Sequence, residues 1–102
     1  MKNKKQIRIK FKTDVFKRDN GVCVFCELPA VDAHHIVDRS LWEDGGYHLN
    51  NGASLCEEHH KQAEDSTLSC EEIRKAAGIT SIILPDTLNP KNNYDKWGNN
   101  IS

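Results

Sequence analysis

The sequence is short of the material from which a large core is built. Only 37% of its 102 residues are hydrophobic. No run approaches the ~20 consecutive apolar residues of a membrane-crossing helix. The first ten residues are dominated by lysine, arginine and polar groups and hold no apolar stretch of the secretory-leader kind. A soluble, reduced, cytoplasmic protein with no membrane partner is therefore expected. Net charge is nearly absent too, at −1, which taken alone argues against a polyanionic ligand. A chain of this length accommodates one domain with a thin core, and such domains commonly add a metal or a disulfide as a staple.

The charge that exists is unevenly placed. Residues 1–18 hold eight basic groups (Lys2, Lys4, Lys5, Arg8, Lys10, Lys12, Lys17, Arg18) and one acid, Asp14, leaving six basic and fourteen acidic groups for the rest. That split suits a basic arm that approaches a polyanion. A lysine-rich solubilising tail would give the same composition.

Along the chain, residues 1–10 read as a flexible arm, with Ile7 and Ile9 alternating as in a short strand. Phe11, Val15 and Phe16 lie at helical spacing over 11–19, and Asn20-Gly21 ends that helix. Val22 to Cys26 reads as a tight knuckle, 31–37 as a strand, 42–48 as a loop turning at Gly45-Gly46, and 49–55 as a second strand or extended segment. A helix is expected from Glu57 to Asp65, with Glu57 and Glu58 at the positive end of its dipole. Another runs from Ser69, with Glu72 at capping-box spacing, to Gly78. Residues 79–102 contain two prolines and five asparagines and read as an extended tail laying Ile82, Ile83, Leu84 and Trp97 across the body.

The four cysteines decide between staples by their spacing. Cys23 and Cys26 are too close for an ordinary disulfide framework and are spaced as metal ligands; Cys56 and His59 repeat that spacing. Together they offer the four sulfur and imidazole groups of a structural zinc site. Cys70 falls outside both pairs and reads as a free thiol. Zinc does not require His34, His35 or His60. Adjacent histidines on a strand face opposite sides, and Glu64 lies one helical turn from His60. A histidine–carboxylate set of this kind suits Mg2+, Mn2+ or another divalent metal acting on a phosphate.

The ordered string Cys23-x2-Cys26, Ala33-His34-His35-Ile36-Val37, Asp44-Gly-Gly-Tyr47 and Asn51-Gly-Ala-Ser-Leu-Cys56-x2-His59-His60-Lys61 resembles the HNH endonucleases, or ββα-metal (His-Me finger) nucleases, as does the lead-in from Val15 to Cys23. The resemblance covers residues 11–65. It implies an α+β fold: a small HNH domain over 11–68 with a zinc knuckle and flanking helices, after a basic arm (1–10) and before a C-terminal helix and packed tail (69–102). It further implies that His35 is the general base, that His34 and His60 bind the catalytic metal with Glu64 as a further candidate, and that Asn51 fixes the site loop and orients the base. Asn50 is the neighbouring alternative for that asparagine. Cys23, Cys26 and Cys56 match the zinc-ribbon cysteines of many members, with His59 where a fourth cysteine is usual. The implied activity is hydrolysis of DNA phosphodiesters, by nicking or cleavage, to 5′-phosphate and 3′-hydroxyl ends. The oligomeric state stays open between monomer and weak dimer, and the short free-standing form resembles the HNH proteins met in phage and mobile-element genomes. An RNA-directed nuclease and a non-catalytic zinc-stabilised nucleic-acid-binding module are the alternatives.

Overall fold

The computed structural model describes residues 3–102. Lys2, one of the expected nucleic-acid contacts, lies outside them. The first helix, α1 (Lys4–Arg18), starts before the expected position and leaves no break at residue 10. Asn3 closes a capping box: its side chain accepts from the Gln6 amide while the Gln6 side chain accepts from the Asn3 amide. Ile7, Phe11 and Val15 then recur every four residues, and Phe11 and Val15 are buried. Ile9, read as a strand partner of Ile7, is instead 55% exposed on the outer face. Asn20 and Gly21, at φ 59° and 72°, end the helix as expected.

The chain then folds into the knuckle. The Cys23 amide donates to Leu28 O, and Glu27, at φ 63°, turns the loop back with its amide on Cys23 O. Two short antiparallel strands follow, β1 (Asp32–His35) and β2 (Gly52–Leu55), with His34 opposite Ala53 and His35 opposite Gly52. Both are shorter than expected. Residues Leu49–Asn51 form a 3-10 turn that leads into β2, and a second such turn covers Arg39–Leu41. Helix α2 (Glu57–Glu64) starts at Cys56, and α3 (Cys70–Ala77) runs between a Ser69–Glu72 capping box and Gly78 at φ 73°. The result is a small α+β domain of three helices and one two-stranded sheet among the described residues.

Helix α1 packs on one side of the hairpin and α2 lies against both strands. Gly52 permits the close crossing with α1: a Cβ there would lie 2.5 Å from Val15 Cγ2 and 2.7 Å from Phe11 Cζ. The main core gathers Cys23, Ile36, Val37, Leu55, Ala63 and Ile73, and Phe11, Val15 and Ala33 form a smaller cluster beneath α1. None of the described helices is long and apolar enough to cross a membrane.

The tail beyond Ile79 has no helix or strand among the described residues, yet it is anchored. Tyr94, Asp95 and Lys96 are buried. Asp95 accepts from the Trp97 and Asn99 amides and from the Ser66 hydroxyl. Tyr94 O accepts from the Cys70 amide, and Lys96 O from the Asp38 amide. Of the apolar residues expected to cover the body, Leu84 packs on the core, whereas Ile82 and Trp97 are 54% and 44% exposed.

Candidate functional site

Two sets of metal-ligating side chains converge among the described residues: Cys23, Cys26, Cys56 and His59, and separately His34, His60 and Glu64. In the first, Cys26 Sγ lies 3.7 Å from Cys56 Sγ, and His59 Nδ1 lies 3.2 Å from Cys56 Sγ and 3.5 Å from Cys23 Sγ. A tetrahedral zinc with bonds of about 2.3 Å to sulfur and about 2.0 Å to nitrogen sets edges of about 3.8 Å between sulfurs and about 3.5 Å from sulfur to nitrogen. The side chains already hold that spacing, so the set fits zinc. Burial raises the Cys23 pKa, but the amides of Cys56, Phe25 and Cys26 aim at its sulfur and bring the net shift below the ordinary value. The amide dipoles favour a thiolate there, as a metal ligand needs. Phe25 stacks on His59 with ring centroids 5.0 Å apart and fixes its plane.

The second set opens into a cavity of about 480 Å³, lined among others by His34, His35, His60, Glu64, Asp38 and Lys96. The alternation of β1 sends its two histidines to opposite sides. His34 turns toward α2 and meets His60 edge-on, with centroids 5.3 Å apart. His35 turns toward α1, where it stacks on Phe11 at 4.6 Å and meets the edge of Tyr47 at 4.8 Å.

His34 is 1% exposed, and neither of its ring nitrogens has a hydrogen-bond partner. A buried, unpartnered imidazole is costly. Burial, with Lys96 nearby, pushes its pKa down to about 2, so the ring is a neutral ligand across the physiological range. The ligand atoms of His34, His60 and Glu64 all lie within 4.8 Å of one another, and His60 Nε2 is 3.3 Å from Glu64 Oε1. His60 Nε2 is also 3.3 Å from Asp32 Oδ2. The orphaned nitrogens of His34 beside a second imidazole and a carboxylate fit a divalent cation.

His35 is held below its ordinary pKa, first by burial and then by the Lys96 charge. Its Nε2 is enclosed without a partner. Asn51 does not line the cavity; it is buried, and its side chain is consumed by the backbone. Its Oδ1 accepts from the Val37 amide, and its Nδ2 donates to Val37 O and Gly46 O. Asn51 thus pins the chain just after His35 to the Gly45-Gly46 turn. Asn50 lines a different hollow.

The basic residues of α1 divide into three groups. Lys4, Arg8 and Lys12, one turn apart, face the cavity rim or the hollow beside it, where Arg39 joins them. Lys10 pairs with Asp14 at 2.6 Å, while Lys5 and Lys17 are exposed and line neither hollow. The Arg18 guanidinium binds Asp19 and donates to Leu49 O and Gly52 O, so it holds β2 onto α1.

Sequence reasoning missed Arg39 and Lys96 altogether. Asp32 and Asp38 are legible beside the histidine pair as groups that could orient an imidazole, and Asp32 stands two residues before His34 on the same side of the strand. Lys96 comes from the tail and carries no local signal. Comparison with protein families, curated proteins and solved structures finds no match for the chain.

Proposed function

We propose that this chain is a metal-dependent endonuclease of the HNH type that hydrolyses DNA phosphodiesters, its fold stapled by zinc on Cys23, Cys26, Cys56 and His59. The observation that carries the reading is the juxtaposition on one short strand of an unpartnered, neutral His34, which faces His60 and Glu64, with His35, which faces the same cavity from the other side.

His34, His60 and Glu64 would hold a divalent ion, which supplies charge neutralisation at a phosphate. The remaining work falls to protein groups. The His35 imidazole, neutral because burial lowers its pKa, accepts a proton from water as the water oxygen bonds to phosphorus. The bond from phosphorus to the 3′-oxygen breaks, and that oxygen takes a proton from solvent, leaving 3′-hydroxyl and 5′-phosphate ends. Phe11 and Tyr47 fix the plane of the imidazole, and Asn51 fixes the backbone behind it. Lys4, Arg8, Lys12 and Arg39 supply charge for flanking phosphates, contacts that position a duplex without reading its bases.

Supercoiled plasmid incubated with the zinc-loaded protein and Mn2+ should relax to nicked circles that DNA ligase reseals, and EDTA should stop the reaction. No relaxation, or nicks that ligase does not seal, would contradict the proposal.

A further inference from the structure

The cavity that holds His34, His35 and His60 is also lined by the side chain of Lys96. Lys96 lies outside the segment that resembles HNH domains and comes from the tail, yet its Nζ is 2.6 Å from Glu64 Oε1 and 3.7 Å from Asp38 Oδ1. The residue is 7% exposed. An ordinary surface lysine keeps its ammonium in water, and withdrawing one is costly unless it is paired.

The surrounding tail fixes this placement. Lys96 O receives the Asp38 amide, the Asp95 carboxylate organises the turn on either side, and Trp97 Nε1 donates to Glu64 O at 2.9 Å. The ammonium also lies 5.0 Å from the centre of the Trp97 ring. Both ends of the short contact between tail and α2 are thus tied to Glu64, by its carboxylate and by its carbonyl.

We propose that Lys96 is a further catalytic residue of the phosphodiester reaction. Its ammonium rests on Glu64 and would donate hydrogen bonds to a non-bridging oxygen of the scissile phosphate once substrate is bound. This rests on the endonuclease reading. Lys96 neither gains nor loses a proton in the step; it meets the negative charge that builds on the phosphate oxygens as water adds and the 3′-oxygen departs. A preformed cation facing developing charge in a partly closed site stabilises the transition state more than the ground state.

The test compares zinc-loaded wild type, Lys96→Met and Lys96→Arg. Plasmid nicking is measured under single-turnover conditions with saturating protein, and Mn2+ binding by electron paramagnetic resonance. Lys96→Met keeps an unbranched stem of nearly the same length and removes the ammonium. It should nick about 10²–10³-fold more slowly, the scale of losing one transition-state donor, while binding Mn2+ at least as tightly as wild type because Glu64 is freed. Lys96→Arg should restore part of the rate and serves as the probe if Lys96→Met does not fold. For Lys96→Arg alone, a rate below wild type with Mn2+ binding retained is expected, and an unchanged rate overturns the proposal.

Wild-type nicking with an equal rate in Lys96→Met would overturn the role of Lys96 and leave the nuclease reading standing. Loss of Mn2+ binding in a folded Lys96→Met would place Lys96 in the metal site's support and overturn its contact with phosphate. Failure of the wild type itself to nick would sink the nuclease reading, and this inference with it.

Discussion

At the scale of single residues, the ligand pairs were legible because their spacing is local. Cys23 and Cys26 sit on one knuckle, and Cys56 and His59 on one helical start, so a reader of the chain can place each pair before knowing the fold. Their convergence depends on β2 bringing Cys56 under the knuckle, where the Val24 amide donates to Ser54 O. Because zinc binding supplies folding free energy in domains of this kind, Cys23→Ser should lose bound zinc and stability together. A loss of only about 3 kcal/mol lowers Tm by about 15 °C in a domain this small, so calorimetry beside a zinc assay checks the claim. An unchanged Tm would rule out a structural zinc.

Cys70 provides a contrast. It was read as a free thiol outside the zinc set, and it is buried with its Sγ donating to Ile36 O at 3.3 Å. Burial pushes its pKa from the ordinary 9.0 up to about 11. The unfolded chain therefore releases this proton first as pH rises, and the contribution to stability, complete below pH 9, is lost between about pH 9 and 11. Two pH units correspond to roughly 2–3 kcal/mol. Unfolding free energies from urea titrations at pH 8.5 and 10.5 should fall further for wild type than for Cys70→Ala, by about 1.5–2 kcal/mol, since pH 10.5 lies below the folded pKa. Parallel declines would contradict the assignment.

At the scale of elements, caps and stop signals made the helices readable. Ser69 with Glu72, and Gly78 beyond, delimit α3 as expected. The start of α1 was missed because alternating Ile7 and Ile9 looked like a strand, while the deciding signal, the Asn3–Gln6 capping box, lay further upstream. The length of β2 was overestimated because the 3-10 turn at Leu49–Asn51 is set by the buried Asn51 and not by any hydrophobic alternation. Gly52 is the element-scale constraint that pattern alone does not explain. It lets β2 touch Phe11, the ring on which His35 stacks. Gly52→Ala should destabilise the domain by about 1–3 kcal/mol, the usual cost of overpacking, and should slow nicking through displacement of Phe11. A denaturant midpoint equal to wild type would show that the crossing relaxes freely.

At the scale of the whole molecule, a net charge near zero conceals a polarised arrangement. The cationic stripe of α1, with Arg39, borders the same cavity that Asp32, Asp38 and Glu64 enter from the other elements. The local half of this site, β1 and α2, was accessible from sequence because its histidines lie within short motifs. The other half was not, because Lys96 and Trp97 reach the cavity only once the tail is fastened to the start of α3 by Tyr94 and turned by Asp95. No hydrophobic period marks that path: Leu84, Leu88 and Tyr94 pack on the core, but the turn that carries Lys96 is held by hydrogen bonds to the Asp95 carboxylate and to backbone groups.

The central claim is that His35 activates water at this cavity. It is tested most directly by the rate at which zinc-loaded wild type and His35→Ala relax supercoiled plasmid in Mn2+, each with its Tm measured alongside. Loss of a positioned general base costs about 10²–10⁴ in rate. The predicted result is a fall of that size with zinc content and Tm essentially unchanged. Equal rates in the two proteins, or a His35→Ala protein that has lost its zinc and unfolded, would contradict the account.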